Sequence, residues 1–263
     1  MEGFAAGNVA TPIFIEKREP AVVLRARRSW SGPFEPVYVK VLPVNGRCIE
    51  AVCAWLAREI GLPAPEPLLL TMPANKMPRG SEWPFGTQSR QVCFATRAIP
   101  GALALRRVAS DQVGGMLDRW PHLAAAAAFD SLIANDDRTE GNILLDPARA
   151  LWLIDHARSL GGGGERLFST DVTPTAPTYF LSRIAGYAVP ERVRLRTALI
   201  AVCTKLCAAV PRIPYDTLLV PENIAMQIED FLVRRAHVLQ AMVLQAIGVP
   251  DLYSEGNHPE SLQ

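Results

Sequence analysis

The chain is 263 residues long, 49% apolar and 20% charged, with a net charge of +1. That is enough for one large domain or two small lobes around a sizeable core. The near-neutral balance supplies no global basic field, so no nucleic-acid partner is expected. The alanine-rich run over 123–129 falls far short of the roughly 20 residues a bilayer span requires, so no membrane segment is expected. Residues 1–12 lack a basic region followed by an apolar stretch, which argues against a signal peptide. Cys48, Cys53, Cys93, Cys203 and Cys207 form no CxxC pair, and the four histidines lie away from them. Zinc is therefore not expected, the thiols read as small packing residues, and a reducing cytoplasm fits best.

Taken in order, the first hundred residues read mainly as strands. Residues 12–16 and 21–25 are short apolar runs, and 37–42 alternates Val37, Tyr38, Val39, Lys40, Val41, Leu42, the pattern of a strand with one buried face. Arg27-Arg28-Ser29-Trp30-Ser31-Gly32-Pro33 has the composition of a turn. After Asn45-Gly46, residues 48–60 place Ile49, Val52, Cys53, Leu56 and Ile60 on one helical face. Gly61 ends that helix, and Pro63 and Pro65 forbid its continuation. Further strands are expected over 68–72 and 91–98, with a Pro/Gly-rich loop over 73–86 between them.

From residue 100 the pattern turns helical. Residues 111–119 read as a short helix, and Pro121 as the start of a second that runs to about 134 and is buried on most sides. Asn135-Asp136-Asp137-Arg138-Thr139-Glu140-Gly141 then leads into two short strands, 142–145 and 150–154, joined by the turn Asp146-Pro147-Ala148-Arg149. Gly161 to Gly164 open a stretch expected to be mobile as far as 177. Helices are expected over 179–187, 190–210 and 221–247, ahead of a polar tail. The reading is an α+β chain with a sheet-rich half over 1–100 and a helix-rich half over 101–263. The two meet near Pro100-Gly101, and the crevice between them is a natural ligand site.

Phosphoryl transfer needs a lysine on the phosphates, hard ligands for Mg²⁺ and a carboxylate that aligns the acceptor hydroxyl. Lys40 lies within a buried-looking strand, where a lone ammonium is costly unless paired, and Glu50 in the first turn of the next helix is the obvious partner. Asp137 follows a helix, Asn142 comes five residues later, and Asp155 ends the second short strand. Two acids and an amide at the mouth of one hairpin can converge on a shared cation. Each residue also has an ordinary reading: Asp137 and Asp155 as turn or cap residues, Asn142 as a strand start, Lys40 as a snorkelling edge lysine. Beside them, His156 is expected to face solvent rather than to tune the site, and Arg138 to bind Asp136 or a carbonyl rather than a phosphate on the mobile segment. Arg192, Arg194 and Arg196 read as a solvated helix face. Ser169, Thr170, Thr173 and Thr175 are loop hydroxyls open to phosphorylation.

The run from Asn135 to Asn142, followed by Trp152-Leu153-Ile154-Asp155-His156, resembles the catalytic and metal loops of HipA-like kinases, within the protein-kinase-like superfamily. Lys40, Glu50 and the stretch "LAREIGLPAP" over 56–65 resemble that family's N-lobe helix and its exit. The resemblance covers roughly residues 20–160 and implies a bilobal kinase-like fold. On it, Asp137 is the catalytic base, Asn142 and Asp155 hold Mg²⁺, and Lys40 contacts the ATP phosphates. Glu50, Ser31, Gly32, Ala98 and Ile99 complete the nucleotide site. The phosphate loop has the single glycine Gly32, and Asp155-His156-Ala157 stands where Asp-Phe-Gly is familiar. The expected activity is ATP-dependent phosphorylation of an unidentified acceptor, with a protein Ser/Thr ahead of a small molecule. A nucleotide-binding scaffold without turnover and an AMP transferase on the same fold remain open alternatives.

Overall fold

The computed structural model describes residues 6–8, 16–18, 21–27, 34–40, 42–73, 90–162 and 178–249. Six strands form one sheet: β1 (Ala6–Asn8), β2 (Glu16–Arg18), β3 (Ala21–Arg27), β4 (Phe34–Lys40), β5 (Pro67–Pro73) and β6 (Arg90–Arg97), in the order β1-β5-β6-β4-β3-β2. Only the β1–β5 pair is parallel among these strands. β4 is thus an inner strand, with Val22 opposite Val39 on one side and Ala95 opposite Val39 on the other. Its alternation works as the sequence implies: Val37 and Val39 are buried, while Tyr38 and Lys40 face a cavity. Of the expected strand over 12–16, only Glu16 belongs to a described element, and the loop over 74–86 lies outside the described residues.

Helix α1 (Val44–Glu59) lies against β5 and β6. It begins at Val44, four residues earlier than the apolar periodicity indicates. Pro43 at its N-cap loses nothing, because a first-turn N–H has no intrahelical partner. Its C-terminus closes as a Schellman motif: Gly61 takes φ of +84°, its N–H donates to Arg58 O at 3.0 Å, and Leu62 N–H donates to Ala57 O at 2.8 Å.

The helical part starts after β7 (Leu103–Ala104), a two-residue strand with no sequence signal of its own. β7 pairs with β8 (Ile143–Leu145), which pairs with β9 (Leu151–Leu153), so the expected hairpin is a three-stranded sheet. Leu153 N–H donates to Pro63 O at 2.8 Å, tying the small sheet to the exit of α1. α2 (Ser110–Asp118) precedes α3 (Leu123–Leu132), with Pro121 in the turn before α3 rather than inside it. Nine of the ten α3 residues are buried, because α5 (Tyr179–Ala185), α6 (Val189–Ala209) and α7 (Glu222–Ala246) all pack on it. A single turn, α4 (Ser159–Gly162), comes between β9 and α5. Residues 163–177, with the four loop hydroxyls, lie outside the described residues, as does the tail from 250.

One apolar cluster runs from α1 through α3 to α7 and joins the two halves. α3 ends in a second Schellman closure, with Asn135 N–H on Asp130 O at 2.9 Å and Ala134 at φ +49°. Arg235 of α7 adds Nε hydrogen bonds of 3.0 Å to both Ser131 O and Leu132 O. The loop that follows α3 is therefore launched from a fixed point. Among the described residues no helix is long and apolar enough to cross a membrane.

Candidate active site

Lys40, Glu50 and Asp155 meet, although they come from β4, α1 and the residue run after β9. Lys40 Nζ donates to Glu50 Oε1 and, at 2.9 Å, to Asp155 Oδ1. Glu50 sits in the second turn of α1, not the first, because the helix starts early. Its side chain is 1% exposed, against 14% for Lys40 and 35% for Asp155, so the cluster is buried at Glu50 and open at Asp155. Burial would strip the proton from Lys40, but the charges of Glu50 and Asp155 outweigh it and hold the ammonium above its ordinary range. Burial pushes Asp155 up, and Lys40, joined by Glu50 and Arg138, more than reverses that, so its carboxyl lies below the usual value. Burial raises Glu50, which Lys40 only partly offsets. Asp155 adopts φ of +64°, a left-handed conformation that costs a non-glycine residue roughly 1–3 kcal/mol.

A second cluster stands behind the first. Asp130 of α3 accepts two hydrogen bonds from Arg138, from Nε to Oδ2 and from Nη2 to Oδ1, each 2.9 Å. Arg138 Nη1 donates to Asn142 O at 3.1 Å and to Ile154 O at 2.7 Å. Its Nη2 also lies 3.1 Å from His156 Nδ1. A guanidinium can only donate, so His156 Nδ1 accepts and the imidazole is neutral with its proton on Nε2. All five N–H groups of Arg138 are thereby used. His156 is 2% exposed, which corrects the expectation of a solvent-facing ring. Burial, then the charges of Arg138 and Lys40, hold its pKa well below the ordinary value. Arg138 likewise takes Asp130, not Asp136, as its carboxylate, with the expected carbonyls in addition. A lone aspartate inside the alanine-rich run before the loop was the available signal for Asp130. Arg192 is not purely solvated either: its guanidinium donates to Ile247 O.

Asp137 projects from the loop between α3 and β8. Its N–H donates to Asn135 Oδ1 at 3.2 Å, and its Oδ1 accepts from Arg158 Nη1 at 3.4 Å. Asn142, ending a single 3-10 turn (Glu140–Asn142), donates Nδ2 to Asp137 O at 2.9 Å. That leaves its amide oxygen as the side chain's remaining acceptor. Ile154 N–H donates to Asn142 O at 3.1 Å, so Asn142 is anchored to the residue preceding Asp155. One amide oxygen and one ionised carboxylate are hard donors that suit Mg²⁺, which takes few protein ligands and completes its shell with water and phosphate. Among the described residues no group of three or more His, Cys, Asp or Glu could hold a metal unaided.

Lys40, Glu50, Asp155 and His156 border a cavity of about 310 Å³ that Tyr38, Phe94, Ile99 and Leu153 also line, whereas Asp137 and Asn142 are not among its lining residues. Its walls are largely apolar, with Lys40, Glu50, Asp155, Arg97 and Arg107 as the charged groups among them, a lining that suits an aromatic base with a polyanionic tail. Ile99 lies on the cavity wall, and Ala98 N–H donates to Pro36 O at 3.0 Å. Ser31 and Gly32 lie outside the described residues.

A family model described as HipA-like kinase matches residues 37–242. Among solved structures the chain is similar to the Helicobacter pylori proinflammatory kinase CtkA, with a TM-score of 0.50 and 13% identity over 89% of this chain and 94% of that one. At that identity the likeness speaks to the fold alone, a kinase-like α+β architecture with a small sheet-rich lobe and a larger helical lobe. No curated protein matches the sequence.

Proposed function

Because the chain belongs to the HipA-like kinase family, we propose that it transfers the γ-phosphoryl group of Mg·ATP to an alcohol, with a protein Ser or Thr side chain as acceptor. On this reading residues 1–100 form the lobe that grips the nucleotide and 101–263 the lobe that presents the acceptor. The observation that carries it is the clasp of Lys40 by Glu50 and Asp155 on the wall of a largely apolar cavity, with Asn142 anchored to the residue before Asp155. Lys40 contacts the α- and β-phosphates, and Glu50 holds its ammonium in place. Ala98 and Ile99 border the base, and Ser31 and Gly32 are assigned to the phosphates.

Asn142 and Asp155 hold Mg²⁺, which when bound neutralises charge on the phosphates. Asp137 orients the acceptor hydroxyl. The hydroxyl oxygen forms a bond to the γ-phosphorus, the bond to the bridging oxygen breaks, ADP leaves with that electron pair, and the hydroxyl proton passes to Asp137. Five free thiols support a reducing cytoplasm as the working compartment.

The test is mass spectrometry of the protein and a mixed peptide pool after incubation with Mg·ATP, alongside calorimetry of ATP binding. Phosphorylated Ser or Thr is expected, and Asp155→Ala should lose the enhancement of ATP affinity by Mg²⁺. Adenylylated products would assign an AMP transferase instead. Tight binding with unmodified products would assign a nucleotide-binding scaffold.

A further inference from the structure

The reaction proposed above spreads negative charge over the three equatorial oxygens of the transferring phosphoryl group, and cations aimed at that charge accelerate it. Among the described residues, Lys40, Arg138 and Arg158 are basic side chains close to the candidate carboxylates or the loop that carries them. Lys40 is committed to Glu50 and Asp155. Arg138 is sealed in the interior with all five N–H groups engaged. Arg158 is the exception. It touches Asp137 through one long contact of 3.4 Å, and its side chain is 70% exposed.

The backbone that carries Arg158 is fixed on both sides. His156 is buried before it, and Ser159 and Leu160 are buried after it. Ser159 N–H donates to His156 O at 3.0 Å, and Leu160 N–H donates to Ile133 O at 2.7 Å. Leu160 is held at φ +59°, a strained value for a branched side chain. The turn therefore presents a long cationic arm from a rigid base, immediately beside the carboxylate that would hold the acceptor.

We propose that Arg158 closes on the transferring γ-phosphoryl group as an arginine finger supplied by the chain itself. The inference rests on the role given above to Asp137. An acceptor oxygen bound to Asp137 sits about 2.7 Å from it. A guanidinium already touching that carboxylate needs only a side-chain swing to reach the oxygens of the phosphorus under attack. Arg158 leaves Asp137 as the acceptor arrives and donates to the equatorial oxygens while the new O–P bond forms and the bond to ADP breaks. It forms no covalent bond and takes no proton. In the structure the same arm contacts Asp137.

The test compares wild type with Arg158→Ala and Arg158→Lys in four measurements: turnover, ADP affinity, affinity for ADP with aluminium fluoride and Mg²⁺, and melting temperature. Arg158→Ala is expected to lose about 10³-fold in turnover, the low end for such arginines. Its ADP affinity should stay within about twofold, and its melting temperature should not move, because exposed pairs contribute little. Its affinity for the aluminium fluoride complex, which mimics the planar phosphoryl group, should fall in step with turnover. Arg158→Lys should recover only part, because an ammonium lacks the planar fork, and free guanidinium should partly rescue Arg158→Ala.

Turnover by Arg158→Ala within threefold of wild type, with wild type active, overturns this inference and leaves the kinase reading standing. A loss of turnover matched by equal losses in ADP affinity or melting temperature also overturns it, as the mark of a structural residue. A wild type that transfers nothing removes the kinase reading, and this inference with it.

Discussion

Two clusters of buried charge flank the peptide between Asp155 and His156, and they differ in what they leave available. The inner one joins Asp130, Arg138 and His156, all between 0% and 4% exposed. Every N–H of Arg138 has an acceptor there, and these bonds reach α3, the Asp137 loop and the strand leading to Asp155. The outer one joins Lys40, Glu50 and Asp155 and opens on the cavity. Both use a cation between acceptors. Where the cluster is sealed, the fully engaged donors of Arg138 make it architecture. Where it is open, a carboxylate is left in reach of a ligand.

The sealed cluster should be the one whose loss unfolds the protein. Asp130→Ala leaves the Arg138 charge buried without its carboxylate, which costs roughly 3–5 kcal/mol. Urea or thermal unfolding should show a loss of that size, with Asp130→Asn costing less because it keeps an acceptor. A loss under about 1 kcal/mol for Asp130→Ala would mean water reaches Arg138, and the contrast between the clusters would collapse.

The open cluster should respond less to substitution and more to pH. In wild type the folded pKa of Asp155 is depressed below 3.8, so its contribution is present above that value and lost as pH falls through the folded pKa. Lys40 is raised above 10.5, so its contribution is present below that value and lost as pH rises through the folded pKa. Lys40→Met removes the cation that holds both carboxyls down. The deficit relative to wild type should be about 1–2 kcal/mol at neutral pH, held small by the exposure of Asp155. It should shrink toward about pH 4, where protonated carboxyls no longer need a cation. Urea titrations at a series of pH values check this, and a deficit that grows toward acid would contradict the placement of Lys40 between two carboxylates.

Much of the outer cluster was legible in the sequence. The alternation around Lys40 reports a half-buried strand, and the Asp137-to-Asn142 spacing survives as a loop because short-range geometry fixes it. The inner cluster was less so. His156 follows a charged residue and looks exposed, yet α3 packs over it and Phe129 meets its ring edge-on at 5.5 Å. Arg138 chose Asp130, eight residues back in a buried helix, over the adjacent Asp136, because only the fold brings that carboxylate within reach. The early start of α1 was hidden because Asn45-Gly46 reads as a turn, whereas Gly46 is buried in the first turn of the helix. β7 escaped notice because two residues carry no periodicity.

The most direct measurement of the central claim compares Asp137→Asn with Asp136→Asn for phosphoryl transfer and ATP affinity, with melting temperature as the check on folding. Asp137 accepts one long contact from the exposed Arg158, so neither substitution should disturb the fold. Asp137→Asn should lower turnover by roughly 10²–10⁴-fold while ATP affinity stays near wild type, because its carboxylate acts on the hydroxyl proton in the transition state. Asp136→Asn should transfer as wild type does. Full transfer by Asp137→Asn, or its loss in Asp136→Asn alone, would contradict the assignment of Asp137 as the acceptor-side carboxylate.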